Sequence, residues 1–182
     1  MPGLLDIANQ IGRGLMTIYD ENVPTMGQVR GLLGASSEQK AEVSKEDAVK
    51  NILSSLYGPE VVAGIMGNIS VETGGSFDPT QRQKGGPGRG LFQMEGGMLN
   101  AYNRYIKNNE LPNNAETQIN FINNVLSGDS VYDIGAGHRK ALRKAFASGS
   151  PEIIAREFSN RVLRPGKPHM DRRIEAARGY AG

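Results

Sequence analysis

Residues 67–79 of the chain read GNISVETGGSFDP. The first half continues an apolar helical stripe, and the pair Gly74 and Gly75 predicts the helix end, because glycine readily adopts the left-handed conformation found there. One carboxylate, Glu72, lies in the last turn of this predicted helix. A carboxylate there gains nothing from the helix dipole, so its position is slightly unusual for a purely structural residue and makes it a functional candidate. The alternative is a solvated Glu on a frayed turn.

A second segment, residues 85–93, reads GGPGRGLFQ. Gly and Pro are so frequent between residues 74 and 93 that a regular helix is excluded there. We predict a loop with a short hairpin after the Glu72 helix. The two segments together indicate a carboxylate at a helix end that faces a tight Gly-rich loop.

The rest of the chain from Ser44 onward shows mostly helical periodicity. Ser44 is a predicted N-cap, followed by the acidic residues Glu46 and Asp47 in the first turn. Helical spacing of apolar residues recurs along the chain, and alternating strand patterns are almost absent. The predicted helices lie at about 44–57, 59–73, 98–107, 114–126, 137–147, 150–162 and 170–178. The sequence therefore predicts a mainly α domain over residues 44–182 with a Gly-rich site loop.

Residues 1–43 differ from this domain and are predicted to form a helical extension and linker. Apolar residues at 4-3-4-3 spacing lie on one stripe of a predicted helix: Leu4, Ala8, Ile11, Leu15 and Ile18. Residues 34–40, GASSEQK, have the composition of a linker. A single short amphipathic helix is marginal alone, so we expect the stripe to pack against the main domain or another protein.

Composition limits the chemistry. The 182 residues contain no Cys, which excludes disulfides and a Cys-based zinc site. The only histidines, His138 and His169, are far apart, so we expect no metal site, and no motif calls for a cofactor. No run of about 18 apolar residues predicts a transmembrane helix. Residues 1–18 lack the pattern of a secretory signal.

Charge is unevenly distributed along the chain. Residues 138–182 hold 11 Lys and Arg against 4 Asp and Glu, whereas the net charge of the whole chain is +2. A basic region of this kind suits an acidic polymer, nucleic acid or a membrane surface, or it balances acidic neighbours. No nucleic-acid-binding motif accompanies these charges, so nucleic acid is not expected as a partner.

The combination of a helix-end Glu72 with the later GRGLFQ segment, residues 88–93, resembles the phage tail lysozyme family of peptidoglycan hydrolases. That family is related to the lytic transglycosylases and goose-type lysozymes. The resemblance covers about residues 45–180, and its specific part is residues 63–97. It implies a lysozyme-like fold for the main domain.

The resemblance also implies roles for individual residues. Glu72 corresponds to the general acid, and an apolar helix stripe around it suits that role. The loop that lines the sugar cleft corresponds to Gly90, Leu91, Phe92 and Gln93. Phe92 is also suited to a core position, and Gln93 to bracing the loop. The Met that follows Gln93 replaces an aromatic residue common in relatives, so no stacking platform is expected there. Tyr102 is a further candidate near the acid, with a core or cleft-wall position as its alternative.

The sequence does not determine which residue is the second catalytic carboxylate. Asp78 is the candidate catalytic partner, although Asp-Pro is also an ordinary turn pair. Glu95 is a candidate substrate-binding residue, and it is the other carboxylate that could position the attacking water molecule. If neither carboxylate faces the cleft, intramolecular attack by a substrate hydroxyl, as in a lytic transglycosylase, needs only Glu72.

The resemblance implies cleavage of the β-1,4 bond between N-acetylmuramic acid and N-acetylglucosamine in peptidoglycan. By the same analogy the protein is expected in the virion, as a tail or internal protein. There residues 1–43 would dock on phage proteins, and the enzyme would open the wall locally, in the host periplasm or cell wall, as the phage enters the cell. The alternatives are a lytic transglycosylase and a catalytically inactive structural or glycan-binding tail protein.

Overall fold

The computed structural model describes residues 43–182, and its architecture is mainly α, as the sequence predicts. Within these residues the chain forms seven α-helices and one π-helical segment, with no β-strand longer than an isolated bridge. The helices are α1 Lys45–Ser54, α2 Pro59–Thr73, α3 Gly96–Asn108, α4 Ala115–Ser127, α5 Ala136–Phe146, α6 Pro151–Phe158, continued by the π-helical Ser159–Leu163, and α7 Met170–Ala181.

Helix α2 is the centre of the domain. Every residue from Val61 to Ile69 is buried, because the helix packs against both α6 and α7 and also contacts α1. A run of this kind, apolar except for Asn68, is typical of a helix that is covered on all sides. The position of Glu72, one turn beyond this run, is therefore fixed by the best-packed element of the fold.

Two glycines on α2 let its neighbours approach closely. A Cβ at Gly67 would lie 2.6 Å from the backbone nitrogen of Ala177 on α7. A Cβ at Gly64 would lie 2.5 Å from the side chain of Ile154 on α6. Backbone cannot move aside as a flexible side chain can, so Gly67 sets the distance between α2 and α7.

The C-terminus of α2 is closed by Gly74 in the left-handed conformation, with φ of 60°. The backbone N–H of Gly75 donates to the carbonyl of Ser70 at 2.8 Å, which satisfies one of the last carbonyls of the helix. This confirms the predicted helix end and leaves Glu72 in the last turn of α2.

The segment between α2 and α3, residues 74–95, is the site loop. It contains two isolated antiparallel bridges, Arg82 with Arg89 and Arg89 with Met94, in place of a regular hairpin. The loop is anchored by the buried side chains of Leu91, Phe92 and Met94. The Gly-rich part is therefore an ordered wall of the domain.

The helix bounds agree closely with the sequence-based expectation. The predicted N-cap at Ser44 is confirmed, since its side chain accepts from the backbone N–H of Asp47 at 3.0 Å. Ser150 caps α6 in the same way, since its side chain accepts from the backbone N–H of Ile153 at 3.3 Å. The apolar stripe predicted for residues 4–18 lies outside the described residues. Among residues 43–182, no helix combines the length and the apolar composition needed to cross a bilayer.

Candidate active site

A cavity of about 740 Å³ opens beside the C-terminal end of α2. Its walls come from the last turn of α2, from the site loop, and from the connection between the π-helical segment and α7. Both polar and apolar side chains line it, and Glu72 is among them. A cavity of this size accommodates a ligand of several hundred daltons.

Glu72 is held at this cavity by an ion pair with Arg173 of α7. The Arg173 Nη2 donates to the Glu72 Oε1 at 2.7 Å, and the two side chains are only 2% and 13% exposed, respectively. An ion pair removed from water to this extent has a defined geometry, because few solvent molecules compete for its hydrogen bonds. The carboxylate therefore has a fixed orientation.

Arg173 is itself fixed by contacts on three sides. Its Nη1 donates to the Asn68 Oδ1 at 3.0 Å, and its Nε donates to the Pro168 carbonyl at 2.6 Å. Asn68 is fully buried, and its Nδ2 donates to the carbonyls of Gly64 and Ala155 at 2.9 and 3.0 Å. This buried network joins α2, α6 and α7, so the position of Glu72 depends on the packing of three helices.

The second carboxylate oxygen of Glu72 differs from the first. Within residues 43–182, Arg173 is the one hydrogen-bond donor to the Glu72 side chain, and it binds Oε1. Oε2 therefore has no protein donor in the described part of the chain and is the carboxylate oxygen left for a ligand in the cavity.

Four of the residues predicted for the site line this cavity together: Glu72, Phe92, Gln93 and Glu95. Phe92 also packs its ring against Phe158, with the ring centroids 6.2 Å apart, so it serves the core and the cavity wall at once. The Gln93 Nε2 donates to the Gly90 carbonyl at 2.7 Å, which braces the loop. Its Oε1 is buried and accepts no hydrogen bond from the described residues.

Three other predicted residues lie away from this cavity. Leu91 is fully buried, and its backbone N–H donates to the Gln118 Oε1 at 2.8 Å. Gly90 and Tyr102 line a separate cavity of about 350 Å³ on another part of the loop. The Tyr102 hydroxyl donates to the Asn113 Oδ1 at 2.8 Å, and burial raises its pKa to about 12. The structure thus places these three residues in contacts that support the loop.

Asp78 also lies outside the Glu72 cavity. Its carboxylate accepts from the Lys45 Nζ at 2.6 Å and from the backbone N–H and the hydroxyl of Thr80 at 2.8 and 2.7 Å. The hydrogen bonds from Lys45 and then Thr80 lower the pKa of Asp78 from 3.8 to about 2. The contacts tie the beginning of the site loop to α1, which is a structural use of the carboxylate.

We expect the Asp78→Asn substitution to lower stability slightly and to leave the activity of the Glu72 cavity unchanged. Because the Asp78 side chain is 29% exposed, solvent screening limits the loss in the free energy of unfolding to less than about 1 kcal/mol at pH 7. A lowered pKa stabilises the fold above the ordinary value of 3.8, and this contribution disappears as the pH falls towards about 2. Urea unfolding at pH 7 and at low pH measures the difference. Loss of activity in a variant of normal stability would instead give Asp78 a catalytic role.

Sequence reasoning did not assign three of the charged residues at the cavity, namely Lys84, Lys167 and Arg173. The position of Arg173 could have been deduced from the sequence, since it lies four residues before the buried Ala177 and therefore on the same core-facing side of α7. A cation at a core-facing position needs a buried partner, and Glu72 is that partner. Lys84 and Lys167 have no such signal.

Within residues 43–182, no group of three or more His, Asp or Glu side chains is placed to hold a metal ion.

The mainly α fold with a glutamate fixed at a cavity beside a Gly-rich loop defines a lysozyme-like domain. A sequence profile described as phage tail lysozyme matches residues 44–182. This chain therefore belongs to the phage tail lysozyme family, which confirms the resemblance noted from the sequence. Searches of curated proteins and of solved structures found no match.

Membership of the family gives the general function. The chain is a bacteriophage protein with a lysozyme-like, peptidoglycan-degrading function, and peptidoglycan is the substrate that fits. Residues 44–182 make up the matched part, so the lysozyme-like function belongs to the domain that contains Glu72.

Proposed function

We propose that this protein cleaves the β-1,4 bond between N-acetylmuramic acid and N-acetylglucosamine, with Glu72 as the general acid. The observation that carries the proposal is the environment of Glu72. Its carboxylate lines the cavity and is held through Oε1 by the buried Arg173, while Oε2 has no donor within residues 43–182. A general acid must be oriented and must be able to offer a proton to the leaving oxygen.

The proposed chemistry begins with proton transfer from Glu72 Oε2 to the glycosidic oxygen. The bond from the anomeric carbon to that oxygen breaks, and the leaving sugar departs with a new hydroxyl group. In hydrolysis a water molecule then adds to the anomeric carbon and gives a proton to Glu95, and exchange with solvent returns a proton to Glu72, so the product has a reducing end. Arg173 keeps its hydrogen bond to Oε1 throughout, so it balances the charge left on Glu72 after the proton has gone.

Hydrolysis is supported by Glu95. Among the described residues, Glu72 and Glu95 are the two carboxylates that line this cavity, whereas Asp78 is bound to Lys45 elsewhere. Glu95 is exposed and precedes α3 without a capping hydrogen bond from its side chain. It is therefore available to orient a water molecule, which is the role that the sequence left open between Asp78 and Glu95.

Transglycosylation is the second candidate, and the position of Asp78 favours it. If Glu95 does not act on water, Glu72 is the sole catalytic carboxylate. The C6 hydroxyl of the muramic acid then attacks its own anomeric carbon and forms a 1,6-anhydro ring. Glu72 gives its proton to the leaving oxygen and takes up the proton of the attacking hydroxyl, so the step balances with no water consumed.

Digestion of purified peptidoglycan by the wild-type chain tests the proposal. We expect soluble muropeptides, and mass spectrometry separates the two reactions, because 1,6-anhydro products are 18 Da lighter than reducing-end products, the mass of about one water molecule. Products cut on the other side of the disaccharide, with N-acetylglucosamine at the new end, would refute the proposed bond. A folded protein that releases nothing would indicate a structural or glycan-binding role instead.

We further propose that the protein is carried in the virion and opens the wall locally as the phage enters the cell. Residues 1–43 would dock it on a phage protein through the apolar stripe predicted there. The support is the family description and the composition of this segment. Protein mass spectrometry of purified particles tests the virion location, and absence of the chain from washed particles would refute it.

A further inference from the structure

Two lysines stand at the mouth of the Glu72 cavity, and we call them the lysine rim. Lys84 belongs to the site loop, and Lys167 belongs to the connection that leads into α7. Both residues line the cavity and both are exposed to solvent. Two segments far apart in sequence therefore bring ammonium groups to one cavity.

The lysine rim is not used by the fold. Neither lysine forms an ion pair with another residue in the part of the chain that the structure describes. Arg173, the remaining cation of this wall with a permanent charge, is neutralised by Glu72. Glu95 also lines the cavity but is not ion-paired with either lysine. The two ammonium groups are therefore available to a ligand.

The backbone near each lysine is held in place. Next to Lys84, the backbone N–H of Gln83 donates to the Gly88 carbonyl at 2.9 Å. Next to Lys167, the Pro168 carbonyl accepts from the buried Arg173 at 2.6 Å. The points from which the two side chains extend are thus fixed, which lowers the entropy lost when they bind.

The sugar rings of the proposed substrate carry no charge, whereas the branch on muramic acid does. This branch is a lactyl group joined to a short peptide, and the peptide carries free carboxylates. Ammonium groups bind carboxylates through charge-assisted hydrogen bonds. We propose that the lysine rim binds carboxylates of this lactyl-peptide branch, so that the protein selects peptide-bearing glycan. This inference rests on the proposed function of the same cavity.

Binding of uncrosslinked glycan strands to the full-length chain tests the inference without relying on turnover. Glu72→Gln provides the background, and Lys84→Ala with Lys167→Ala is compared with Lys140→Ala with Lys144→Ala. The control pair removes the same charge from exposed positions on α5 outside the cavity. One set of strands carries peptides with free carboxylates, and the other has been stripped by an amidase so that the lactyl carboxylate remains.

For the rim variant we expect the Kd for peptide-bearing strands to rise about 3- to 10-fold over the control pair, a size typical of two exposed ion pairs. Added salt should shrink this difference by screening. A rise confined to peptide-bearing strands assigns the peptide carboxylates as the ligand and supports the inference. An equal rise for stripped strands, in which the lactyl carboxylate is free, shows that the lysines bind either carboxylate and overturns the selection of peptide-bearing glycan. If the rim and control variants bind both strands alike, the inference is wrong.

Failure of the proposed function gives a different result. A wild-type chain that cleaves no glycan but whose rim variant still loses affinity would refute the enzyme and keep the lysine rim as a glycan-binding site. If the Glu72→Gln background proves unstable in thermal melting, the same titrations on the otherwise wild-type chain with isolated cleavage-resistant strands give the comparison.

Discussion

The Glu72→Gln variant is expected to lose at least about 100-fold of the glycan-cleaving activity while it remains folded. Glutamine retains an oxygen that can accept the hydrogen bond from Arg173, but it leaves the buried Arg173 charge uncompensated, so we expect a lower free energy of unfolding and check the fold by thermal melting. It cannot release a proton to the glycosidic oxygen, so the chemical step loses its acid. The ratio of wild-type to variant activity is measured from the release of soluble muropeptides from purified peptidoglycan over a wide range of enzyme concentration.

Glu157→Gln is the matched control for this experiment. It makes the same chemical change in a glutamate that is also paired with an arginine, Arg161, but it lies outside the Glu72 cavity. We expect it to keep the wild-type rate. Equal activity of Glu72→Gln and Glu157→Gln would remove Glu72 from the mechanism and with it the proposed assignment of the acid.

The second large effect is expected at Arg173. Methionine has a similar length but no charge. Replacing Arg173 by methionine should lower the free energy of unfolding by about 3–5 kcal/mol, because the buried Glu72 carboxylate is left without a compensating charge. The Asn68 Oδ1 and the Pro168 carbonyl lose their donor as well. Urea unfolding at neutral pH measures the loss.

Arg161→Met controls for the loss of an arginine as such. The Arg161 and Glu157 side chains are 30% and 24% exposed, and their i,i+4 pair should contribute less than about 1 kcal/mol. If Arg173→Met does not fold, Arg173→Lys provides the measurement, since one ammonium cannot make all the contacts of the guanidinium. An Arg173 variant as stable as the Arg161 variant would show that the buried network is not needed for stability.

The two effects are coupled through one contact, which makes a double substitution informative. In the Glu72→Gln background, Arg173→Met should cost less stability than in the wild type, because the uncompensated carboxylate is no longer present. The same pair of residues thus connects stability to catalysis. The buried arginine holds the carboxylate that we propose as the acid, so its removal should lower both stability and activity.

Much of the candidate site was predictable from the sequence, because its main signals are local. The helix end at Gly74, the position of Glu72 in the last turn and the irregular loop after it follow from residue types within a few positions. Phe92, Gln93 and Glu95 were also placed in the correct loop and do line the cavity. Leu91, by contrast, serves the core, which residue type alone did not distinguish from a cleft wall.

The roles of the charged residues needed the packed structure. Asp78 and Glu95 are both carboxylates of the same loop region, yet Lys45 of α1 binds the first and the second lines the cavity. No pattern within the loop determines which of them an α1 lysine will reach. Glu95 therefore replaces Asp78 as the proposed partner of Glu72 on the basis of position.

The sequence by itself determined the mainly α domain over residues 44–182, its helix bounds and the presence of one carboxylate at the end of a buried helix. Helical periodicity, capping and glycine conformations are properties of neighbouring residues, so they can be deduced without knowledge of the fold. Only the tertiary structure decided that Glu72 is paired with Arg173, which lies 101 residues away. That contact exists because Gly67 lets α7 pack closely on α2, and such long-range packing brings together residues that no local pattern links.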